Sequence, residues 1–209
     1  MHKNLEDFEQ SLSQTFDRDY FEGAKSNYGA QGGYWDYPVF DAVAAMVKEA
    51  FDPQCLLDAG CAKGYLVKHL RKRGVSAYGT DISPYAVAES PEDIRPYLTA
   101  ASLHRLPFTD NHFDTVVSME VMEHIPKELL LMSIRELKRV CSGRLFLTIA
   151  QVHDTTDTTH VSLYPMEMWV KLFMSQGLFF DETLTEKVLS YNVVKQFKWQ
   201  PYVFSLKHE

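Results

Sequence analysis

Apolar residues recur along the chain with two different periods, and the alternation of those periods predicts its architecture. Within residues 1–19, Leu5, Phe8, Leu12 and Phe16 stand at helical spacing in a polar segment. Pro38 to Phe51 reads as a helix with Val39, Phe40, Val43, Met46, Val47 and Ala50 on one face, its proline in the tolerated first turn. Short apolar runs predict strands at Leu56–Ala59, Ser76–Thr80, Leu98–Ala101, Phe113–Met119 and Arg144–Ile149. Between them fall a helix over Leu66–Arg73 stopped by Gly74, one begun by Ser83 as cap and Pro84, and one over Lys127–Val140 with Leu130, Ile134 and Leu137 inward. Pro165–Gln176 reads as a helix ended by Gly177, and Phe179–Val188 and Tyr202–Leu206 read as final strands with no helix between them.

Strand alternating with helix implies parallel βαβ units. The expected fold is α/β: a doubly wound, mostly parallel seven-stranded sheet with helices on both faces and an antiparallel C-terminal edge hairpin. One domain is expected overall, with residues 1–36 as an N-terminal helix and lid and 37–209 as the main body. The stretch Tyr20 to Tyr37 holds Gly23, Gly29, Gly32, Gly33 and Tyr20, Tyr28, Tyr34, Tyr37, a composition suited to a loop that lays aromatic rings over a ligand.

Composition narrows the partners. The 209 residues are 45% hydrophobic and 23% charged, with net charge −7. A protein that grips a phosphate backbone usually carries a basic surplus, so no nucleic acid is expected as partner. The one dense basic run, Lys68, Arg71, Lys72 and Arg73, reads as a solvated helix face. Three cysteines, Cys55, Cys61 and Cys141, form no CxxC pair and suit a reducing cytoplasm. The start MHKNLEDFEQ is polar and acidic rather than secretory, and no apolar run approaches about 18 residues, so no membrane segment is expected.

The chemistry concentrates in Leu56-Leu57-Asp58-Ala59-Gly60-Cys61-Ala62-Lys63-Gly64-Tyr65, a strand, a tight turn and a helix start. A dinucleotide turn of the GxGxxG kind anchored on Gly60 would need glycine where Ala62 and Tyr65 stand. Asp58 is also ill suited to a pyrophosphate, and a carboxylate there favours a cationic ligand. S-adenosylmethionine (SAM), with its ammonium and sulfonium, has that charge. Seventeen residues after Gly64, Asp81 ends the second strand, where an acid can take both ribose hydroxyls; as an alternative it caps the next helix.

In these residues the chain resembles a class I SAM-dependent methyltransferase of the small-molecule type, over about residues 35–190. The family's DxGxGxG motif is matched by Asp58, Gly60 and Gly64, with Ala62 in place of the middle glycine. Asp81 matches the ribose-binding acid. The family often places an acid four residues before a Leu-Pro-Phe; here Ser102 precedes Leu106-Pro107-Phe108, so the resemblance leaves the adenine amino group to Ser102 or the backbone at Leu103. Phe113 to Ile125 matches the family's acid-bearing strand end. The resemblance thus implies SAM as cofactor, held by Asp58, Gly60, Cys61, Ala62, Gly64, Tyr65, Asp81, Ile82, Ser102, Leu103 and Glu120, with Tyr34 of the lid offering an aromatic face to the sulfonium.

Methyl transfer from a sulfonium is an in-line displacement that needs alignment and dryness, plus a base for a hydroxyl acceptor. Candidates for that chemistry are His124 after the fourth strand, and His153 and His160 in the polar loop after the fifth, where sites are commonly built. His153, Asp154, Asp157 and His160 also have metal-ligand chemistry, but loop spacing defines no geometry, and no metal is expected. Phe197, Trp199 and Tyr202 either wall the substrate pocket or fill the core. The expected acceptor is the hydroxyl or amine of a small metabolite. Glu120-Val121-Met122-Glu123 replaces the [DNS]-P-P-[FYW] sequence of enzymes that methylate nucleic-acid amino groups. The alternatives are a tRNA or protein substrate, and a non-catalytic SAM-binding partner subunit. Oligomeric state is not legible.

Overall fold

The structure is a computed structural model that describes residues 4–23, 32–150, 152 and 157–207. Its strands are β1 (Cys55–Ala59), β2 (Ser76–Asp81), β3 (Leu98–Ala100), β4 (Phe113–Met119), β5 (Cys141–Thr148), β6 (Phe179–Phe180) and β7 (Pro201–Ser205). They form one seven-stranded sheet in the order β3-β2-β1-β4-β5-β7-β6. The first five are parallel: Asp58 stands beside Gly79 of β2 and Val117 of β4, and Thr115 beside Arg144. Strand β7 runs antiparallel to β5, and β6 antiparallel to β7. The doubly wound sheet with an antiparallel edge is as expected.

Alternation along each strand divides the core between the two faces. Leu57, Val116, Leu145, Leu147 and Phe204 face one way, against Ile134 and Leu137 of α6 (Lys127–Val140) and Trp169 and Phe173 of α7 (Met166–Ser175). Leu56, Val117, Phe146 and Val203 face the other, against Val43 and Val47 of α3 (Pro38–Phe51) and Val67 and Leu70 of α4 (Tyr65–Lys72). Chain direction across the sheet reverses between β1 and β4, so their carboxyl ends flank the crevice where ligands of open α/β sheets sit.

The sequence reading departs from the structure in two places. Residues 5–22 form two helices, α1 (Leu5–Thr15) and α2 (Arg18–Glu22), because Asp17 caps the second by accepting from Tyr20 N. The run Phe179–Val188 is not one strand. After β6, Asp181 accepts from Leu184 N and begins α8 (Glu182–Ser190), which α9 (Asn192–Phe197) follows. The cap and its first-turn Glu182 outcompete the apparent strand pattern. The antiparallel edge pair is present, but two helices separate its strands in sequence. Among the described residues no helix is long and apolar enough to cross a membrane. All three cysteines are free thiols.

Candidate cofactor and acceptor site

The turn after β1 is built by backbone conformations that alternate into the left-handed region. Gly60 has φ 91°, Ala62 φ 49° and Gly64 φ 74°. Ala62, where the motif has its middle glycine, therefore takes the conformation that costs an L-residue roughly 1 kcal/mol or more. Its N–H donates to Asp81 Oδ2 at 2.7 Å, and Gly60 N and Cys61 N both donate to the Thr80 carbonyl, at 2.7 and 2.9 Å. At Gly60 a Cβ would meet Val121 Cγ2 at 2.3 Å, so β4's exit packs directly on the turn.

Asp58 and Asp81 are both buried beside this turn. Burial, and then the neighbouring Asp81 charge, push the Asp58 carboxyl up to about 8. Burial also raises Asp81, against the N–H bonds from Ser83 and Ala62 that lower it. Ser83 itself caps α5 (Pro84–Ala88), its hydroxyl accepting from Ala86 N at 3.1 Å. The nearby cation, Lys63, is turned away to pair with Glu22 of α2. Two carboxylates thus share a dry space whose protein environment disfavours both charges, and a cationic ligand reverses that preference.

Two adjoining hollows open here. The first, about 720 Å³, is lined by Gly60, Ala62, Asp81 and Ile82 on one side and by Ser102, Leu103, Met119 and Glu120 on another. Its roof is Leu12, Phe16, Tyr20 and Phe21 from α1 and α2, with Tyr34 beside them. The second, about 910 Å³, runs from Asp58, Gly60, Cys61 and Glu120 past Tyr34 to an aromatic wall of Tyr37, Phe40, Phe197 and Trp199. Glu120 and Tyr34 border both. Glu120 also holds a left-handed φ of 53° at the end of β4, a strain typical of functional positions.

Gly64 and Tyr65 are not among the residues lining these hollows. Gly64 begins α4 where a Cβ would meet Leu98 Cδ1 at 2.6 Å, and Tyr65 stacks on Tyr34 with ring centroids 5.8 Å apart. Tyr202 is buried in the core rather than in the wall. Ser102 Oγ lies 2.6 Å from His104 Nδ1. Burial lowers the His104 pKa, so the neutral ring accepts the Ser102 proton and leaves the serine oxygen free to accept another bond.

His124 borders the first hollow, its ring edge-on to Phe16 at 5.3 Å. His160 stands beside it, ring centroids 4.7 Å apart, while His153 lies outside the described residues. Of the roof, Leu12 and Phe16 belong to the amphipathic segment of the sequence, and Tyr20 and Tyr34 to the aromatic stretch expected to cover a ligand. Leu12 lies in α1, Phe16 at its C-terminal cap and Tyr20 in α2, and nothing local to Leu12 or Phe16 says what they cover. Val121 and Ile125 were likewise missed.

Residues 57–147 match the family described as methyltransferase domain. The magnesium-protoporphyrin O-methyltransferase of Synechocystis sp. is 30% identical over 118 residues, 54% of this chain and 51% of that one. The mitochondrial arginine-hydroxylase NDUFAF5 of Rattus norvegicus is 44% identical over 64 residues, 30% of this chain and 19% of that one. The SAM-bound magnesium protoporphyrin IX methyltransferase of Synechocystis PCC 6803 shares the fold with TM-score 0.67 at 21% identity, covering 99% of this chain and 100% of that one. The chain spans no more than about half the length of these two curated relatives.

Proposed function

We propose that the chain, which carries a methyltransferase domain over residues 57–147 on a fold shared with a SAM-bound methyltransferase, is a class I SAM-dependent methyltransferase that moves the methyl group of SAM to a hydroxyl or amine of a small metabolite. The observation that carries this reading is the buried Asp58–Asp81 pair around the Gly60–Gly64 turn, an arrangement that repels a pyrophosphate and draws a cation.

The residues around the two hollows divide the cofactor between them. Asp58 faces the ammonium. Asp81 takes the ribose hydroxyls while its backbone bonds hold the turn. Ile82 and Leu103 sandwich the adenine, and the Ser102 oxygen accepts from its amino group. Gly60, Cys61 and Ala62 keep the backbone close to the ligand, Gly64 lets α4 begin against Leu98, and Tyr65 supports Tyr34. Residues 1–36 act as the lid, with Phe16 and Tyr20 closing over the adenosine and Tyr34 turned to the sulfonium. The acceptor reaches from the aromatic wall of the second hollow, which favours a largely apolar molecule, past Glu120 and Tyr34 to place its reacting group toward His124 in the first.

SAM supplies a methyl carbon already bonded to an excellent leaving group. The protein's part is to align the acceptor, exclude water with the lid, and take a hydroxyl proton at His124 or His160; His153 is a further candidate base. No nucleic acid or membrane takes part, and the setting is the cytoplasm, where the free thiols stay reduced.

The test is methyl-labelled SAM incubated with the protein and, separately, hydroxyl- or amine-bearing aromatic metabolites, tRNA and protein extract. Label in a small molecule, lost on His160→Ala while SAM affinity persists, is the expected result. Label only in tRNA or protein overturns the small-molecule assignment.

A further inference from the structure

The turn after β4 and the segment leading to α7 bring three metal-ligand side chains to one point beside the first hollow. Ligand atoms of Glu123, His124 and His160 lie within 4.8 Å of one another. Glu123 is fully buried, and His124 is only 8% exposed. Main-chain bonds fix the two segments against each other. Val161 N and Ser162 N both donate to the Glu123 carbonyl, at 2.9 and 2.8 Å, and Ser162 Oγ donates to the Ile125 carbonyl at 2.7 Å. His160 is therefore held over Glu123-His124 by the fold itself.

The surroundings orient one imidazole as ligand imidazoles are oriented. His124 Nδ1 lies 2.9 Å from Thr159 Oγ1 and 3.3 Å from the Thr159 carbonyl. A carbonyl only accepts, so Nδ1 carries the proton and Nε2 the lone pair. The Thr159 hydroxyl in turn donates to Asp157 Oδ1. Burial raises the Asp157 carboxyl, but its bonds from Thr159 and the nearby His124 and His160 leave it below the usual range, a carboxylate at neutral pH. A carboxylate behind a ligand imidazole, here through a hydroxyl, fixes its tautomer and raises its basicity.

We infer that Glu123, His124 and His160 bind a divalent transition-metal cation. Two imidazole nitrogens and one carboxylate form a donor set that suits such ions and leaves coordination positions open. Glu123 Oε1 accepts from Ala150 N at 3.2 Å, which anchors the carboxyl to the exit of β5. This set differs from the cluster weighed in the sequence: Asp157 stands behind the ligands, and His153 and Asp154 lie outside the described residues. The link was hidden because 36 positions separate His124 from His160. The ion's role rests on the methyltransferase reading. With the ion bound, His124 and His160 are ligands and no longer bases; because His124 borders the hollow that holds Gly60 and Asp81, the open positions instead offer an acceptor oxygen a Lewis acid that eases loss of its proton.

The experiment titrates the full chain, stripped by chelator, with Co²⁺ and then Zn²⁺, and measures SAM affinity on the same samples. One Co²⁺ per chain is expected, with visible d–d bands that Zn²⁺ abolishes. His160→Ala and Glu123→Gln should weaken it more than the roughly tenfold loss expected when Thr159→Val removes the outer support. Circular dichroism confirms that each variant is folded. A folded chain that binds SAM but no Co²⁺ overturns the site. So does Co²⁺ binding that ignores all three substitutions, which leaves only an imidazole–carboxylate network. Co²⁺ binding without SAM binding supports the site and overturns the methyltransferase reading instead.

Discussion

Lowering the pH should weaken SAM binding, and Asp58 should be the cause. In the ligand-free protein its carboxyl titrates at about 8, raised first by burial and then by Asp81. Bound SAM places an ammonium against it, and the pair requires the carboxylate. An α-amino group titrates near 7.7–8.0, so between about pH 5.5 and 7.5 the ligand's charge is nearly constant and the slope belongs to the protein. The ionised fraction of Asp58 falls from about a quarter to about 0.3% over that window, a loss of roughly 80-fold in affinity, or about 2.6 kcal/mol. Calorimetric titration across the window measures this directly. In buffers of different ionisation enthalpy it should also show about one proton released per SAM bound below pH 7. Asp58→Asn should bind more weakly at pH 7.5 and lose most of the slope. The linkage has a second face. A carboxyl raised from 3.8 holds a proton that the unfolded chain gives up, so the ligand-free protein loses stability as pH climbs from about 4 to 8. Affinity that is flat, or that grows as pH falls, would refute the cation-pairing role of Asp58.

Gly60→Ala drives a Cβ to within 2.3 Å of Val121 at a φ of 91°, and strain plus overpacking should cost about 3 kcal/mol, or roughly 10 °C of Tm; an unchanged melt would contradict the close approach of β4's exit to the turn. Ala62→Gly relieves a left-handed alanine and should raise stability by about 0.5–1 kcal/mol in urea unfolding without weakening SAM binding. A lower unfolding midpoint would mean that the alanine methyl is needed. Trp169→Ala empties a fully buried site that lines neither hollow and should cost about 3–5 kcal/mol, with SAM affinity of the folded fraction unchanged by titration.

Local chemistry made the cofactor side legible. Asp58, Gly60, Gly64 and Asp81 lie in one strand–turn–helix–strand unit, so spacing alone brings them together. The left-handed Ala62 was not legible in that way, because its conformation is imposed by the N–H bond to Asp81. The rest of the lining is assembled from distant segments. Phe16 from the N-terminal helices and Trp199 before β7 come to line adjoining hollows, joined at Glu120 after β4, only once the sheet has closed. His124 and His160 are the sharpest case: in sequence His160 groups with His153, Asp154 and Asp157 and not with His124, and the contact of the two depends on main-chain bonds from Val161 and Ser162 to Glu123. The edge region failed for another reason. Leu184 and Val188 fit helical spacing as well as a strand, and the Asp181 cap decided between them.

The central claim is tested most directly by calorimetric titration of the purified chain with SAM, S-adenosylhomocysteine and NADH at pH 7.5. Saturable binding of both adenosyl ligands, with none of NADH, is the predicted result. Binding of NADH, or of no adenosyl ligand by a folded chain, would contradict it.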